Sequence, residues 1–375
     1  MNLLRLNLCI VLCWISVNPV FAITISQVSH NKNIFNPVKN ESVDIRFRLS
    51  EAAVVTLSFY DDRELLIRRI TSKNQLKEGA HTLSWDGRDQ KGEAVPPEAY
   101  RYTIKARNSE GKEIEFDLSD LTGGDSLEVK KITWDPKSKK ISYLIPEMAR
   151  INTRVGLKAR GPLLITLQNW VPRTSGRHSI SWNGKDVSGV IDLGKHPNRQ
   201  IDVQAFSLSD NTILIGPLQN QSTYVKNINK DTEKRTKKKT RKKRMFNHSQ
   251  QTVDQRGDFP VLLTIPEDIK KNKDGIPIVD GKTPFRVDVA KPYWGKVFSQ
   301  RFETVFYLDG QFIEESELGI LPLTWYLKMT DITPGIHYIT TNVRSYEGNF
   351  GTSSIKIYVP EIKKTETENK KGTQL

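Results

Sequence analysis

The chain is predicted to be all-β, built as three β-sandwich domains with a charged linker between the second and the third. Three observations carry this. Strand-length runs alternate apolar and polar residues with period two. A stretch of just under a hundred residues recurs in tandem. Most of the net charge sits in one short segment, and a third set of strand-like runs follows it.

A length of 375 residues suits two or three domains at about 100–200 residues each. Residues 1–22 are predicted to stand apart from them as a secretory signal. Arg5 supplies the positive start, LNLCIVLCWISV the apolar run, and Val20 and Ala22 the small-residue positions for cleavage after Ala22. The run is short of the roughly 20 apolar residues that span a bilayer, and no later stretch approaches that length, so no transmembrane span is expected in the mature chain. Both cysteines, Cys9 and Cys13, lie in this leader, and neither follows a small residue as a lipidated cysteine would. A mature chain without cysteine excludes disulfides, iron–sulfur clusters and thiolate zinc sites.

From residues 23 to 118 the runs are strands. In VDIRFRLS, Val43, Ile45, Phe47 and Leu49 face one way and Asp44, Arg46 and Arg48 the other; AVVTLSFYD and AYRYTIKAR add β-branched and aromatic residues. DDRE, KEGA, DGRDQKG and VPPE punctuate them as turns, with Pro37, Pro96 and Pro97 at run boundaries where a missing amide costs no ladder bond. Residues 119–216 repeat the unit. RFRLSEAAVVTL (46–57) overlays SYLIPEMARINT (142–153), and GAHTLSWDGRDQKG (79–92) overlays GRHSISWNGKDVSG (176–189), at offsets of 96 and 97. A third unit, 259–361, carries Gly335-Ile336-His337 and an EGNFG hairpin turn but lacks the Trp-Asp-Gly signature.

Between the second and third units, residues 217–258 are polar and centred on KRTKKKTRKKR (234–244). Like charges at that density oppose collapse, so a disordered linker is expected. Its nine cations and Arg5 account for most of the formal +14, which leaves the rest of the mature chain at about +4, an ordinary surface. The tail, 362–375, is similarly polar and expected to be loose.

FNP (35–37), VDIRFRLSEAAVVTLSFYD (43–61) and LKEGAHTLSWDGRDQKGEAVPPEAYRYTIKA (76–106) resemble the immunoglobulin-like domain of the bacterial flagellar hook-capping protein, a domain widespread in secreted bacterial proteins. The resemblance is close over about a fifth of the chain and weaker through the second copy. It implies an immunoglobulin-like β-sandwich placed in the periplasm or at the bacterial surface; with the repeat, the third set of strands and the charge pattern, the expected fold is all-β, three immunoglobulin-like β-sandwich domains with a disordered basic linker. The export signal and the lack of a match to the hook-docking region set the chain apart from the hook-capping protein itself. One sandwich hosts many roles, so the resemblance speaks to fold more than to function.

Among candidate sites, DGRDQKG offers Asp86 and Asp89 as calcium oxygens, but a cage needs about six to eight, and the second copy has Asn183 in place of Asp86. A turn that tolerates Asp or Asn before Gly is the expected reading. His81, His178 and His337 each follow a glycine by two residues and read as strand positions; no serine elbow, zinc helix, phosphate loop or haem motif is present. No catalytic residue, metal or cofactor is therefore expected, and the chain is not expected to be an enzyme. Lys234, Arg235, Lys237, Lys238, Lys239, Arg241, Lys242, Lys243 and Arg244 form a solvated linker or an arm for an acidic polymer such as polysaccharide, lipopolysaccharide or extracellular DNA, with salt-sensitive affinity. Arg256-Gly257-Asp258 spells an adhesion tripeptide that recurs by chance. Tyr293, Trp294, Trp325 and Tyr326 are a candidate recognition surface if exposed, and core otherwise. The expected function is structural, adhesive or scaffolding, with another envelope or surface protein as partner; binding of an acidic polymer is the alternative.

Overall fold

A computed structural model describes residues 22–217 and 258–361. The period-two pattern becomes eight strands in the first unit: β1 (Ile25–His30), β2 (Ile34–Phe35), β3 (Val43–Leu49), β4 (Val54–Tyr60), β5 (Leu66–Thr71), β6 (Gly79–Trp85), β7 (Ala99–Arg107) and β8 (Glu113–Phe116). On β3, Val43, Ile45, Phe47 and Leu49 are all buried while Arg46 and Arg48 face solvent. β1, β3 and β6 form one sheet; β5, β4 and β7 belong to the opposing one, with β8 also on β7. Trp85, fully buried, stacks on Phe59 at 4.0 Å, and Phe35 and Tyr100 meet it edge-on.

The second unit contains β9 (Ser126–Leu127), β10 (Lys130–Asp135), β11 (Lys140–Ile145), β12 (Ala149–Leu157), β13 (Leu163–Arg173), β14 (Gly176–Ser181) and β15 (Arg199–Ser207), and is followed by β16 (Thr212–Ile215). Its sheets are β10-β11-β14 and β13-β12-β15-β9. Trp182, just past β14, packs on Trp134 at 4.8 Å. A buried polar knot divides this core into two clusters. Gln168 Oε1 accepts from the Tyr143 hydroxyl at 2.8 Å and from Thr153 Oγ1 at 2.9 Å.

Strand β16 departs from the expected boundary, which gave residues 119–216 to the second unit. Thr212–Leu214 pair antiparallel with Arg101–Ala99 of β7, and Leu214 and Ile215 run parallel to Ile34 and Phe35 of β2. Ile213 and Ile215 enter the first unit's core. The place beside β15 goes instead to β9, from the segment joining the two units. The two segments cross so closely that a Cβ on Gly123, whose φ is +87°, would lie 2.5 Å from the Ser209 amide nitrogen. The first two sandwiches are thus tied together by a strand that follows the second in the chain and completes a sheet of the first.

The third unit comprises β17 (Val261–Thr264), β18 (Pro284–Val289), the short helix α1 (Trp294–Phe298), β19 (Phe302–Leu308), β20 (Gln311–Ser316), β21 (Leu323–Tyr326), β22 (Gly335–Ser345) and β23 (Phe350–Val359). Its sheets, β17-β18-β21 and β20-β19-β22-β23, repeat the three-plus-four arrangement of the second unit. It docks on β13. Asn342, only 2 % exposed, pairs its amide with the Leu163 backbone, donating to the carbonyl at 2.7 Å and accepting from the N–H at 2.9 Å. Thr352 Oγ1 donates to the same carbonyl at 2.9 Å, and Ser188 Oγ accepts from the Ser354 amide at 2.8 Å. Asn342→Ala strands the Leu163 N–H and should weaken this junction by about 1–3 kcal/mol. Calorimetry that still finds the third unit melting together with the second would count against that role.

Candidate functional site

The conspicuous motifs resolve into backbone scaffolding. Asp86 Oδ1 accepts from the Arg88 amide at 3.1 Å, and in the second copy Asn183 Oδ1 accepts from Lys185 at 2.9 Å. The same turn uses one acceptor oxygen, which is why Asp and Asn interchange there. Gly87 and Gly184 follow with φ of +70° and +83°, a region that glycine enters without strain. Asp89 Oδ1 then accepts from Lys91 and Glu93, and Asp186 from Ser188 and Ile191. The indoles close the loop: Trp85 Nε1 donates to the Arg88 carbonyl at 2.9 Å and Trp182 Nε1 to that of Lys185 at 2.8 Å. Asn272 caps the Asp274 and Ile276 amides in the same way in the third unit. These oxygens point at their own backbone, and among the described residues no group of three His, Cys, Asp or Glu side chains could hold a metal ion.

The three histidines are equally local. Nε2 of His81, His178 and His337 lies 2.7 Å from the carbonyl oxygen four residues earlier, Lys77, Thr174 and Thr333 respectively. A carbonyl only accepts, so each Nε2 carries the proton and donates. The preceding Gly79, Gly176 and Gly335 have φ of +124°, +112° and +143°, which swings the chain into the strand and brings the ring over the turn. The third unit carries the same brace, but on β22 of its four-stranded sheet, whereas His81 and His178 stand on β6 and β14 of the three-stranded sheets.

His337 differs in one respect. Burial pulls its basicity down, but Asp309 Oδ2, 2.6 Å from Nδ1, together with the Thr333 carbonyl, more than offsets this and raises its pKa above the ordinary 6.5. A raised folded-state value means the contribution to stability is complete below the unfolded pKa and is lost as pH climbs through the folded one. The third unit should therefore melt at lower temperature at pH 8.5 than at pH 6, and His337→Gln should flatten that difference. His178 has the opposite sign, because burial lowers it, so the variant comparison isolates His337.

At the junction of the first two units lies a buried charge cluster. The Arg150 guanidinium donates to Glu98 Oε1 at 2.8 Å and to the Trp170 carbonyl at 3.2 Å, with Asp62 Oδ2 at 3.9 Å; all three charged side chains are buried. Burial, then the charge of Asp62, raises the Asp61 carboxyl. A cleft of about 100 Å³ opens beside Asp61, Asp62, Arg101 and Arg150. Sequence reasoning did not find this cluster. Glu98 and Arg150 stand 52 residues apart, and no local pattern distinguishes them from surface charges.

The structure divides the four third-unit aromatics. Trp325 is 8 % exposed and stacks on Phe306 at 4.3 Å and 13°. It occupies on β21 the place that Trp85 holds on β6, the indole plugging the space between sheets, so its assignment to a recognition surface is corrected to core. Tyr293 is half-buried against the same core. Trp294 is 38 % and Tyr326 49 % exposed, but they do not converge. Tyr326 pairs with Pro284 at the start of β18, whereas Trp294 Nε1 donates to the carbonyl of Val289 at its end. That separation is roughly 16 Å at the rise of an extended strand. Phe298, exposed on α1 beside Trp294, continues the apolar patch.

Asp258 is turned inward. It accepts from Arg154 at 2.9 Å, from Thr166 Oγ1 and from the Phe350 amide, while Arg154 lies over the Phe350 ring at 4.4 Å. A carboxylate so engaged is not offered to a receptor as an adhesion tripeptide requires. Nearly all of the expected leader, the cations Lys234 to Arg244, Arg256, Gly257 and residues 362–375 lie outside the described residues. Among the described residues no helix is long and apolar enough to cross a membrane.

These features define an all-β protein of immunoglobulin-like sandwiches that share one glycine–histidine brace and one turn design. Residues 33–110 match the family model described as the FlgD Ig-like domain, and the first unit is a domain of that type. Among solved structures, FlgD from P. aeruginosa is 19 % identical, over 28 % of this chain and 73 % of its own, with a TM-score of 0.19. The fibronectin(III)-like modules of Clostridium thermocellum CbhA are 12 % identical, covering 90 % of this chain and 94 % of theirs, with a TM-score of 0.20. A 1.5-MDa bacterial ice-binding adhesin is 9 % identical, covering 91 % and 99 %, with a TM-score of 0.19. No curated protein matches the chain.

Proposed function

We propose that the chain is an exported, non-enzymatic structural or scaffolding protein of the bacterial envelope or of a surface assembly, which holds another envelope or surface protein in a fixed geometry. The observation that carries this reading is the construction of the junctions. Strand β16, which follows the second sandwich in the chain, joins the sheet of the first, and the third is clamped to β13 by Asn342, so units that could have been flexibly strung are coupled through hydrogen bonds and burial. Side chains that suggest chemistry, Asp86, Asp89, His81 and their counterparts, have their polar atoms engaged in turns. The leader, with cleavage after Ala22, accounts for export to the periplasm or beyond.

The second reading, binding of an acidic polymer, rests on the nine cations between Lys234 and Arg244. Deletion of residues 234–244 separates the two. In the scaffold reading, the deleted protein captures the same envelope partners from native membranes as the full chain, and loses only salt-sensitive retention on immobilised lipopolysaccharide. Loss of partner capture together with that retention would transfer the function to the basic segment. Amino-terminal sequencing of the protein recovered from the envelope should begin at Ile23.

A further inference from the structure

A cavity of about 320 Å³ lies between the second and third sandwiches. Its size falls at the lower end of the range for small-molecule sites, about 300–1,000 Å³, and a domain junction is a common place for one. The second unit contributes an apolar wall of Leu157, Pro162 and Ile191, with Leu157 and Ile191 packed on a core cluster in which Leu164 is fully buried behind them. The third unit contributes Asp309 and Gly310 at the tip of the β19–β20 hairpin, and Tyr338 on β22. The two walls are held in register. A Cβ on Gly310 would lie 2.5 Å from Leu157 Cδ1, and the Asn342 clamp on Leu163 sits one residue from Leu164.

Asp309 and Asp192 are among the residues that line this space. Asp309 is oriented by the Tyr338 amide, which donates to Oδ1 at 2.8 Å, and by His337 at Oδ2, yet each oxygen keeps a further lone pair and the side chain stays partly open to solvent. Asp192 and His196 belong to the lining contributed by the second unit. Asp192 Oδ1 accepts from the Lys195 amide at 3.3 Å, and the Lys195 ammonium, 3.9 Å away and almost wholly exposed, makes a weak partner. No lysine or arginine is among the residues lining the cavity.

We propose that this cavity is a binding site for a small amphiphilic amine, whose apolar body lies on Leu157 and Ile191 and whose ammonium group donates to Asp192 and Asp309. A charge-assisted hydrogen bond to a carboxylate that is already oriented supplies the specificity, and the apolar wall supplies contact area. A carboxylate-headed ligand would face two like charges and is rejected; a neutral head keeps the apolar contact and loses the charge.

Isothermal titration of the full chain with 2-phenylethylammonium, 2-phenylethanol and phenylacetate tests this. The ammonium compound should bind with a millimolar or tighter dissociation constant, the alcohol at least about tenfold more weakly, and the carboxylate not measurably. Asp192→Asn, an isosteric change at a half-exposed side chain, should bring the ammonium compound down to the affinity of the alcohol. Ile191→Trp should fill the cavity and abolish binding of both, with melting curves reading its folding separately. Equal binding of the three compounds, no binding by any, or binding of the ammonium compound unchanged in Asp192→Asn overturns the proposal.

Discussion

Trp85→Ala is expected to lower the unfolding free energy by about 3–5 kcal/mol, the upper range for truncating a large aromatic in a packed core. The indole is completely buried, stacked on Phe59 and ringed by Phe35 and Tyr100 of the opposing sheet, so its removal leaves a void between the two sheets. It also leaves the Arg88 carbonyl without its donor and loosens the loop that follows. The same change at Trp182 should cost less. That indole is slightly exposed and packs against Trp134 in a core already divided by Gln168. Denaturant melts of the two variants decide the point, and an equal loss would contradict the difference in packing.

Arg150→Met is expected to cost about 3–5 kcal/mol at the junction of the first two units, because it removes the guanidinium that sits against the buried carboxylates of Glu98 and Asp62. Restoring neutrality should recover much of the loss. In Arg150→Met combined with Glu98→Gln and Asp62→Asn the guanidinium and its two carboxylates are neutralised together, and replacement of a buried ion pair by neutral groups is often close to neutral. The coupling is read by a thermodynamic cycle. If the single and triple variants are destabilised equally, the cost comes from packing and the cluster has no electrostatic role. The same single variant should also loosen β16, since the backbone of Glu98 accepts the Ile215 amide at 2.8 Å.

The sequence legibly carries each strand, and the reason is local. Alternation sets which face of β3 is buried. The Asx acceptors at Asp86 and Asn183, the positive-φ glycines and the histidine brace act within four residues, so a single unit's sequence contains all the information they need. The tandem echo at an offset of 96–97 therefore identified the second sandwich, and the turn reading of DGRDQKG follows from the substitution of Asp86 by Asn183. What the echo obscured is the fate of Trp325. Without Asp-Gly after it, the residue carries no signature of its own, and only the stack on Phe306 reveals the same indole plug.

Everything that joins one sandwich to another was decided in three dimensions. An apolar strand such as Thr212–Ile215 can satisfy its ladder bonds on any free sheet edge, and its composition does not say whose edge. The geometry of the crossing at Gly123 and the parallel partner Ile34–Phe35 assign it to the first unit. Asn342 finding the backbone of Leu163, Arg150 finding Glu98 and Asp258 finding Arg154 are likewise contacts over 52 to 179 residues of separation, made by polar side chains indistinguishable in sequence from those that face water. By itself the sequence determined how many sandwiches there are and how each turns; the tertiary structure decided that they are coupled. Period and turn chemistry are properties of neighbouring residues, whereas the pairing of buried polar groups depends on which surfaces meet.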